Sequence, residues 1–494
     1  MPRLALGTAT RAAPALLLLG LALLPALMQL WRGVSLPALN SGYDTDFAIT
    51  TARVMLEEVE AGRLLPHWAA ADHAGFGSPI FYYYAPFAWL LAAPFALAGL
   101  PLDKALVAAL LLARAAAFAG GYAWARTLVA DRRLATLAAA LFVLAPYVAL
   151  NLPMQRFAYA ECVAIAFVPL CLLNVDLRGP ALTRILAAAA GYAGLAMTHM
   201  PTTILAAVIV PAYALAARGP WRCAEVVAGG ALGTLLAGVL LAPAALLQNW
   251  TAMQWLLPDL LTFRYHALFA PDSLQYLRAF WDLGSRLLVH IAWAFDVLAL
   301  WLLARHWREL GRTERGLAEV LGLSLLLMCW PFALLLAKLP ALRNVQFPWR
   351  ALGVVAALAG MAAALAAWRQ PALRPWLLAA AVLLAVGQAT VPVLDRLLPA
   401  GTWSGRRWLL PQFAASSAAR LAEEQRIPTG QPEYLTRWAD AAGWPPGRSP
   451  DPAAIMPEVD SRTALPAYGA PAVVEGEAKL EVTRSNGRFA FAGR

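Results

Sequence analysis

Charged residues are scarce in this chain of 494 residues, of which 14% are Asp, Glu, Lys or Arg and 61% are hydrophobic. This scarcity excludes a soluble globular protein of ordinary composition, in which about 25% of residues are charged. Apolar stretches such as residues 12–30, 229–247 and 376–394 approach or reach the roughly 17–25 residues that cross a bilayer as a helix. In these stretches apolar residues do not alternate with polar ones, as they would in the strands of a membrane β-barrel. The sequence therefore predicts an all-α polytopic bundle of about 11–13 spans.

Two further features of the composition exclude classes of ligand. The few cysteines all lie in or beside apolar segments and support neither a disulfide framework nor a thiolate metal site: Cys162, Cys171, Cys223 and Cys329. The net charge of +10 comes from basic residues in short loops rather than from one soluble face. We therefore expect the lipid bilayer as a partner and no nucleic acid.

The distribution of Lys and Arg predicts the orientation in the membrane. The short basic loops would face the cytoplasm with the N-terminus, at residues 126–133, 178–184, 218–222, 305–315 and 369–374. The N-terminal segment lacks a small-residue cleavage site and is expected to be an uncleaved anchor. The other loops would be external, at residues 40–86, 151–161, 198–202, 248–286 and 338–350. The short segment 87–100, which contains Pro94, could lie along the membrane surface or pair with another short span, and the former is preferred because it keeps residues 305–315 on the cytoplasmic side.

The end of the chain changes character. In residues 395–494, Pro, Gly and charged residues replace the Leu and Ala runs, which predicts an extracytoplasmic region following a transmembrane domain of residues 1–394. Within it, EAKLEVTRSNGRFAFAG alternates apolar residues on each side of Ser-Asn-Gly, a pattern typical of a β-hairpin. Because a lone hairpin is marginally stable, we expect further strands from a partner or from sequence beyond Arg494.

The first external loop, predicted at residues 33–86, holds the densest polar and aromatic chemistry. Asp44 and Asp46 begin a helical pattern with apolar residues at Ala48, Ala52, Met55 and Val59, which predicts an amphipathic helix at the membrane surface. Either acid alone could cap that helix. A carboxylate beside the bilayer could instead act as a general base, or hold a divalent cation such as Mg or Mn.

The same loop offers aromatic and imidazole groups. His67 and His73 could bind phosphate or metal, or be ordinary loop histidines, since their spacing matches no known ligand set. Tyr83 lies in the run Tyr82–Tyr84, which could contact substrate or form part of an interfacial aromatic belt.

Later external segments supply charged candidates. Arg156 and Glu161, in NLPMQRFAYAE, would be costly at a membrane boundary unless they pair structurally or face a wet cavity, where they are candidates for binding substrate or phosphate. His199, in THMPTT, could donate to a phosphate or be hydrogen-bonded at the interface. Arg343 and Arg350 flank an aromatic anchor in RNVQFPWR and suit phosphate, with snorkelling as the alternative for Arg350. In mid-span, Asp296 is expected to pair locally with His290.

The motifs DTD, PHW, GFGSPIFYYYAP, QRFAYAE, THMPT, QFPWR and PEYL, spread over roughly residues 12–435, resemble polytopic glycosyltransferases of the GT-C superfamily. The resemblance is closer to a bacterial group of YfhO-like membrane proteins, often labelled 6-pyruvoyl-tetrahydropterin-synthase-related, and it implies a location in a bacterial plasma membrane. It implies inverting transfer of a sugar from a polyprenyl-phosphate donor to a glycan, lipid or protein acceptor on the external face.

In that family the first-loop Asp is the base or orients the acceptor, sometimes with a divalent metal, and this role would belong to Asp44 or Asp46. Arg156, His199 and Arg350 would then stabilise the departing lipid phosphate. The family continues into a fuller β-rich domain at the C-terminus. The alternative is a non-catalytic carrier or assembly factor for lipid-linked polysaccharide, in which the same residues bind prenyl phosphate without breaking a bond.

Overall fold

The computed structural model of the chain describes residues 17–24, 27, 44–69, 78–247, 263–271, 283–343, 345–397, 480–485 and 488–493. For some residues within these ranges only the backbone is described, among them Asp46, Arg343, residues 391–397 and both strands. Apart from those strands the described chain is a bundle of helices, as the composition predicted.

The helices form because the apolar segments must bond their own N–H and C=O groups where no water is available. The first part of the chain forms α1 (Thr45–Glu60), α2 (Ile80–Tyr83), α3 (Phe87–Leu97), α4 (Leu102–Leu128), α5 (Arg132–Leu144), a π-helix (Tyr147–Arg156), α6 (Tyr159–Ala164), α7 (Val168–Asp176), α8 (Ala181–Ala196) and α9 (Met200–Arg218). The second part forms α10 (Pro220–Leu236), α11 (Gly238–Leu247), α12 (Phe263–His266), α13 (Leu283–Ala304), α14 (Arg312–Leu327), α15 (Ala333–Leu336), α16 (Pro340–Arg343), α17 (Leu352–Arg369) and α18 (Arg374–Leu397). Single 3₁₀ turns stand at Ile165–Phe167, Trp307–Glu309, Pro348–Ala351 and Pro371–Leu373.

Within the described residues, seven segments are long and apolar enough to cross a bilayer: Leu102–Leu128, Arg132–Arg156, Tyr159–Asp176, Met200–Arg218, Arg286–Ala304, Pro348–Arg369 and Pro371–Thr390. The number is eight if α10 and α11, which meet at 73°, form one broken span. Helices α3 and α8 are apolar but shorter. These helices support the predicted multi-pass membrane protein. The total of about 11–13 spans stays a prediction.

At one end of the bundle, which we call the basic end, arginines pair with acids from neighbouring helix ends. The pairs are Arg184 with Glu225, Arg218 with Asp176, Arg369 with Glu314 and Arg374 with Asp131. These contacts join the basic loops that the sequence placed on a common side of the membrane. Their assignment to the cytoplasm stays a prediction.

The opposite end, which we call the site end, gathers Asp44, the segment Arg156–Glu161, His199 and Arg350. The Phe87 N–H donates to the Met197 carbonyl at 3.1 Å, which joins the start of α3 to the turn between α8 and α9. The described parts of the loops predicted to be external therefore meet at this end of the bundle.

Small residues allow the helices to pack closely. Helix α17 is central, with every residue from Leu352 to Ala367 buried, and α5 and α13 lie against it. Gly229 and Gly233, four residues apart on α10, face α8, where a Cβ on Gly233 would lie 2.6 Å from the Ala189 carbonyl oxygen. This spacing brings two backbones together as small-residue pairs do in membranes.

Two strands lie near the C-terminus, β1 (Leu480–Ser485) and β2 (Arg488–Gly493). They pair antiparallel, with Val482 opposite Phe491. Residues 486–487 and the strand side chains are outside the described residues, so the predicted turn at Asn486-Gly487 stays a prediction. The same holds for the domain boundary at residue 394, since residues 398–479 are not described.

Candidate functional site

Helix α1 positions Asp44 at the site end. Its apolar residues Ala48, Ala52 and Met55 are buried, and the helix packs on α3 and α4, which agrees with the predicted amphipathic pattern. Asp44 occupies the N-cap position of α1, yet its side chain makes no capping hydrogen bond. Capping is therefore the wrong interpretation for Asp44. The side chain of Asp46 lies outside the described residues.

The predicted external loop 151–161 is mostly helical. The π-helix Tyr147–Arg156 follows α5, and only Phe157 and Ala158 separate it from α6. Pro153 lies inside this segment and has no N–H to donate to a regular helical hydrogen bond. The wider turn of a π-helix tolerates this missing donor. Phe157, with φ 55°, then turns the chain towards α6. The segment was predicted to lie between two spans; instead, residues up to Arg156 continue the preceding span, and their buried backbone bonds within itself.

Arg156 joins the two acids of the site. Its guanidinium lies 3.2 Å from a carboxylate oxygen of Asp44 and 3.3 Å from one of Glu161. The Asp44 N–H also donates to the Arg156 carbonyl at 3.0 Å. Arg350 approaches the same Glu161 oxygen at 3.6 Å. The structure thus brings together four predicted residues, Asp44, Arg156, Glu161 and Arg350, which we call the site cluster.

The two acids of the site cluster differ in exposure. The Asp44 side chain is 42% exposed, whereas that of Glu161 is 1% exposed. Asp44 is therefore the acid of the cluster that can reach a substrate. Glu161 was predicted to bind substrate or phosphate, but in the structure it holds the two guanidinium groups. Two carboxylates balance two guanidinium groups, so the cluster has no net formal charge.

Two aromatic residues that sequence reasoning missed complete the cluster. The buried Tyr147 hydroxyl donates to Glu161 at 2.6 Å, and the Trp349 ring lies 5.2 Å from the Arg156 guanidinium carbon. Tyr147 meets Trp349 edge-on, with ring centroids 6.1 Å apart. Neither contact has a local sequence signal, because the partners come from different helices.

Arg350 is oriented by its own segment. Its guanidinium donates to the Val345 carbonyl at 2.9 Å and to the Gln346 side chain at 3.1 Å, and it lies over the Phe347 ring at 4.8 Å. The side chain is 11% exposed. Snorkelling towards head groups therefore does not describe Arg350, which points to Glu161 instead.

His199 and Tyr84 lie within electrostatic reach of the site cluster. Burial, reinforced by the Arg350 and Arg156 guanidinium groups, holds the pKa of His199 well below its ordinary value. Its Nδ1 lies 2.8 Å from the Thr202 hydroxyl. Burial raises the pKa of Tyr84, and the Asp44 carboxylate raises it further. A neutral His199 can orient a polar group but adds no positive charge for a phosphate.

No family model matches this chain. A search of curated proteins gives no match either. The resemblance to GT-C glycosyltransferases therefore rests on the sequence motifs alone.

The remaining predicted residues lie outside the site cluster or beyond the described side chains. The His67 ring stacks on Tyr82 at 4.8 Å, and Tyr83 follows in α2. His73 and the Arg343 side chain are outside the described residues. The expected pair of Asp296 and His290 is not formed, since six residues correspond to about 240° around a helix, so the two side chains point apart. The His290 Nδ1 instead lies 2.8 Å from the Arg286 carbonyl.

The described residues contain no group of three or more His, Cys, Asp or Glu side chains that could share a metal ion. At the site cluster, Asp44 and Glu161 are both in contact with guanidinium groups, which compete with a cation for the same oxygens. The predicted divalent cation stays a prediction, because the Asp46 side chain is not described.

A second polar contact missed from the sequence lies within the membrane-spanning part of the bundle. Arg114, inside α4, donates to the Gln388 side-chain oxygen at 2.6 Å and to the Val143 carbonyl at 2.8 Å. Gln388 is fully buried. The signal was present in the sequence, since an arginine within an apolar span is rarely placed without a role.

Proposed function

We propose that the protein transfers a sugar from a polyprenyl-phosphate donor to a hydroxyl acceptor at the site end, with Asp44 as the general base. The supporting observation is the arrangement of Asp44, which is half-exposed while its partner Arg156 is buried and anchored by Glu161. A carboxylate fixed in this way keeps one face open to an acceptor. Its place among the ends of apolar helices suits a donor that stays in the lipid.

The reaction is a single displacement. The acceptor hydroxyl oxygen forms a bond to the anomeric carbon while the bond from that carbon to the phosphate oxygen breaks. The hydroxyl proton moves to the Asp44 carboxylate, and the electron pair leaves with the phosphate oxygen. Attack from the side opposite the leaving group gives inversion at the anomeric carbon. Products are the glycosylated acceptor and polyprenyl phosphate.

Asp44→Asn tests this function, because it removes the base while preserving the size of the side chain. Purified wild-type and variant proteins would be incubated with a polyprenyl-phosphate-linked hexose and a bacterial envelope extract, and formation of polyprenyl phosphate would be measured by mass spectrometry. We expect a loss of about 100-fold or more, as for removal of a general base. Asp103→Asn, at the start of α4, is the matched control, since Asp103 is also exposed and neighbours Lys104. Full transfer by Asp44→Asn would refute Asp44 as the base, and full transfer by Asp46→Asn as well would refute a catalytic aspartate in the first loop.

The second candidate is a carrier or assembly factor that binds prenyl phosphate without transfer. It is favoured by the charge balance of the site cluster, in which Arg156 and Arg350 already face carboxylates and have less positive potential to offer a leaving phosphate. This function predicts that wild-type protein binds polyprenyl phosphate but does not consume the linked sugar. It also predicts that Asp44→Asn binds the lipid as the wild type does.

A further inference from the structure

One side of α13 carries a row of exposed apolar side chains that ends in an arginine. The helix belongs to a segment that is long and apolar enough to cross a bilayer, and its other side is buried where it packs on α17. The exposed row, which we call the α13 stripe, recurs every three or four residues and consists of Leu287, Ile291, Leu298 and Trp301, followed by Arg305. Residues at this spacing share a helix face, so the stripe offers a continuous surface to lipid chains.

The Arg305 guanidinium is stacked on Trp301 at the end of the α13 stripe. Its central carbon lies 4.8 Å from the centroid of the Trp301 ring, one helical turn earlier. Trp301 is 54% exposed, and Arg305 is exposed as well. Indole rings are typical of the membrane interface, and the ring face attracts a cation. The stacking therefore holds a positive charge where the apolar surface of the span ends.

The hydrogen-bond donors of this arginine are available. Within the described part of the chain, neither the Arg305 nor the Arg308 guanidinium forms a hydrogen bond or an ion pair. Arg308 is also exposed and follows three residues later, in the 3₁₀ turn Trp307–Glu309. The carboxylate of this turn, Glu309, lies 3.5 Å from the His306 Nδ1. Two neighbouring guanidinium groups thus face outwards with all their N–H groups unused.

The surroundings of these two arginines are basic. The loops at the basic end, residues 126–133, 174–184, 218–225, 305–319 and 369–374, contain thirteen arginines and six acids. Four of the six acids pair with arginines in the contacts described above. Arginines without an acidic partner therefore predominate at this end, and such a surface beside a bilayer attracts anionic lipid.

We propose that Trp301, Arg305 and Arg308 form a binding site for an anionic phospholipid. The lipid phosphodiester accepts hydrogen bonds from Arg305, whose fork matches two phosphate oxygens, and Arg308 adds a second positive charge. An acyl chain of the same lipid lies along the α13 stripe. Because the stripe is apolar, the site favours a phosphate that carries lipid chains over a soluble one. The site lies at the end of the bundle opposite Asp44, so it does not depend on the proposed sugar transfer.

Native mass spectrometry of the full chain, purified in detergent and freed of co-purifying lipid, tests this site. The probes are dioleoyl phosphatidylglycerol, dioleoyl phosphatidylcholine, which has the same chains but no net charge, and glycerol 3-phosphate, which has no chains. We expect the wild type to bind phosphatidylglycerol most tightly. The double variant Arg305→Gln/Arg308→Gln should weaken this binding about tenfold or more, since each basic residue near a membrane surface contributes roughly fivefold. Trp301→Leu, which keeps an apolar surface but loses the ring face, should weaken it about threefold.

Arg133→Gln/Arg178→Gln is the matched control. Both residues are exposed at the basic end, and the double variant removes the same two charges away from the α13 stripe. We expect it to change the affinity for phosphatidylglycerol less than about twofold. An equal loss in the two double variants would reduce the effect to general attraction by the basic end and overturn the site. Equal wild-type affinities for phosphatidylglycerol and phosphatidylcholine, or for phosphatidylglycerol and glycerol 3-phosphate, would overturn it too, as would unchanged binding in Arg305→Gln/Arg308→Gln.

Discussion

Asp44 and Arg156 are joined by two hydrogen bonds that run in opposite directions. The Asp44 N–H donates to the Arg156 carbonyl at 3.0 Å, and the Arg156 guanidinium donates to the Asp44 carboxylate at 3.2 Å. These two hydrogen bonds hold the start of α1 against the end of the π-helix, at the position of the partly exposed Asp44 side chain. On the buried side, Glu161 contacts the Arg156 guanidinium and accepts a hydrogen bond from the Tyr147 hydroxyl.

Removal of the Glu161 charge should destabilise the protein strongly. Glu161→Gln leaves Arg156 and Arg350 facing a neutral amide in a buried setting, and we expect a loss of about 3–5 kcal/mol in the free energy of unfolding. Denaturant unfolding in mixed micelles measures this loss. Glu60→Gln, at the exposed end of α1, should change the same quantity by less than about 0.5 kcal/mol. Equal stabilities of the two variants would show that the site cluster contributes nothing to the fold.

Stability should fall as the pH is lowered, because of His199. The folded pKa of His199 is depressed, so between the unfolded value of about 6.5 and the folded value the unfolded chain binds more protons. The His199 contribution is complete above pH 6.5 and decreases below it, by at most about 1.4 kcal/mol per pH unit. Thermal unfolding from pH 8 to pH 5 should therefore show a smaller decline in His199→Gln than in the wild type. Parallel curves would contradict this account.

The contact between Arg114 and Gln388 should stabilise the packing of α4, α5 and α18. Gln388→Leu removes the oxygen that accepts from Arg114, and we expect a loss of about 1–3 kcal/mol. The double variant Arg114→Leu/Gln388→Leu replaces both polar groups and should recover most of that loss. Denaturant unfolding of the two single variants and the double variant gives the coupling energy. Strictly additive effects would mean that the two side chains do not interact.

Much of the site could be predicted from the sequence, because the charge of the loops and the spacing of apolar residues already indicate where its residues lie. The charge of the loops placed Asp44, Arg156, His199 and Arg350 on one side of the membrane, and the structure collects them at one end. The helix of α1 followed from its apolar spacing. What the sequence could not decide was the partner of each group, since Asp44 could cap a helix or meet an arginine that is distant in the chain.

Other contacts could not be predicted from the sequence either, because their partners are distant in the chain and meet only in the folded protein. Tyr147 looks like an ordinary apolar residue of a span until the fold places it beside Glu161, and the aromatic anchor that contains Trp349 gives no sign of a contact with Arg156. The contact of Arg286 with the Tyr265 carbonyl depends on the approach of α12 to α13, which no local pattern specifies. The π-helix likewise depends on burial around Pro153.

The link from Asp44 to Arg156 and onward to Arg350 also sets an order of events during biosynthesis. Asp44 leaves the ribosome long before the π-helix, and Arg350 comes later still. Asp44 can therefore meet Arg156 as soon as the π-helix has been made, whereas Glu161 gains its contact with Arg350 only after the later spans have entered the membrane. A chain interrupted before Pro348 would therefore keep the pair of Asp44 and Arg156 but lack the contacts that Arg350 and Trp349 make with Glu161 and Arg156.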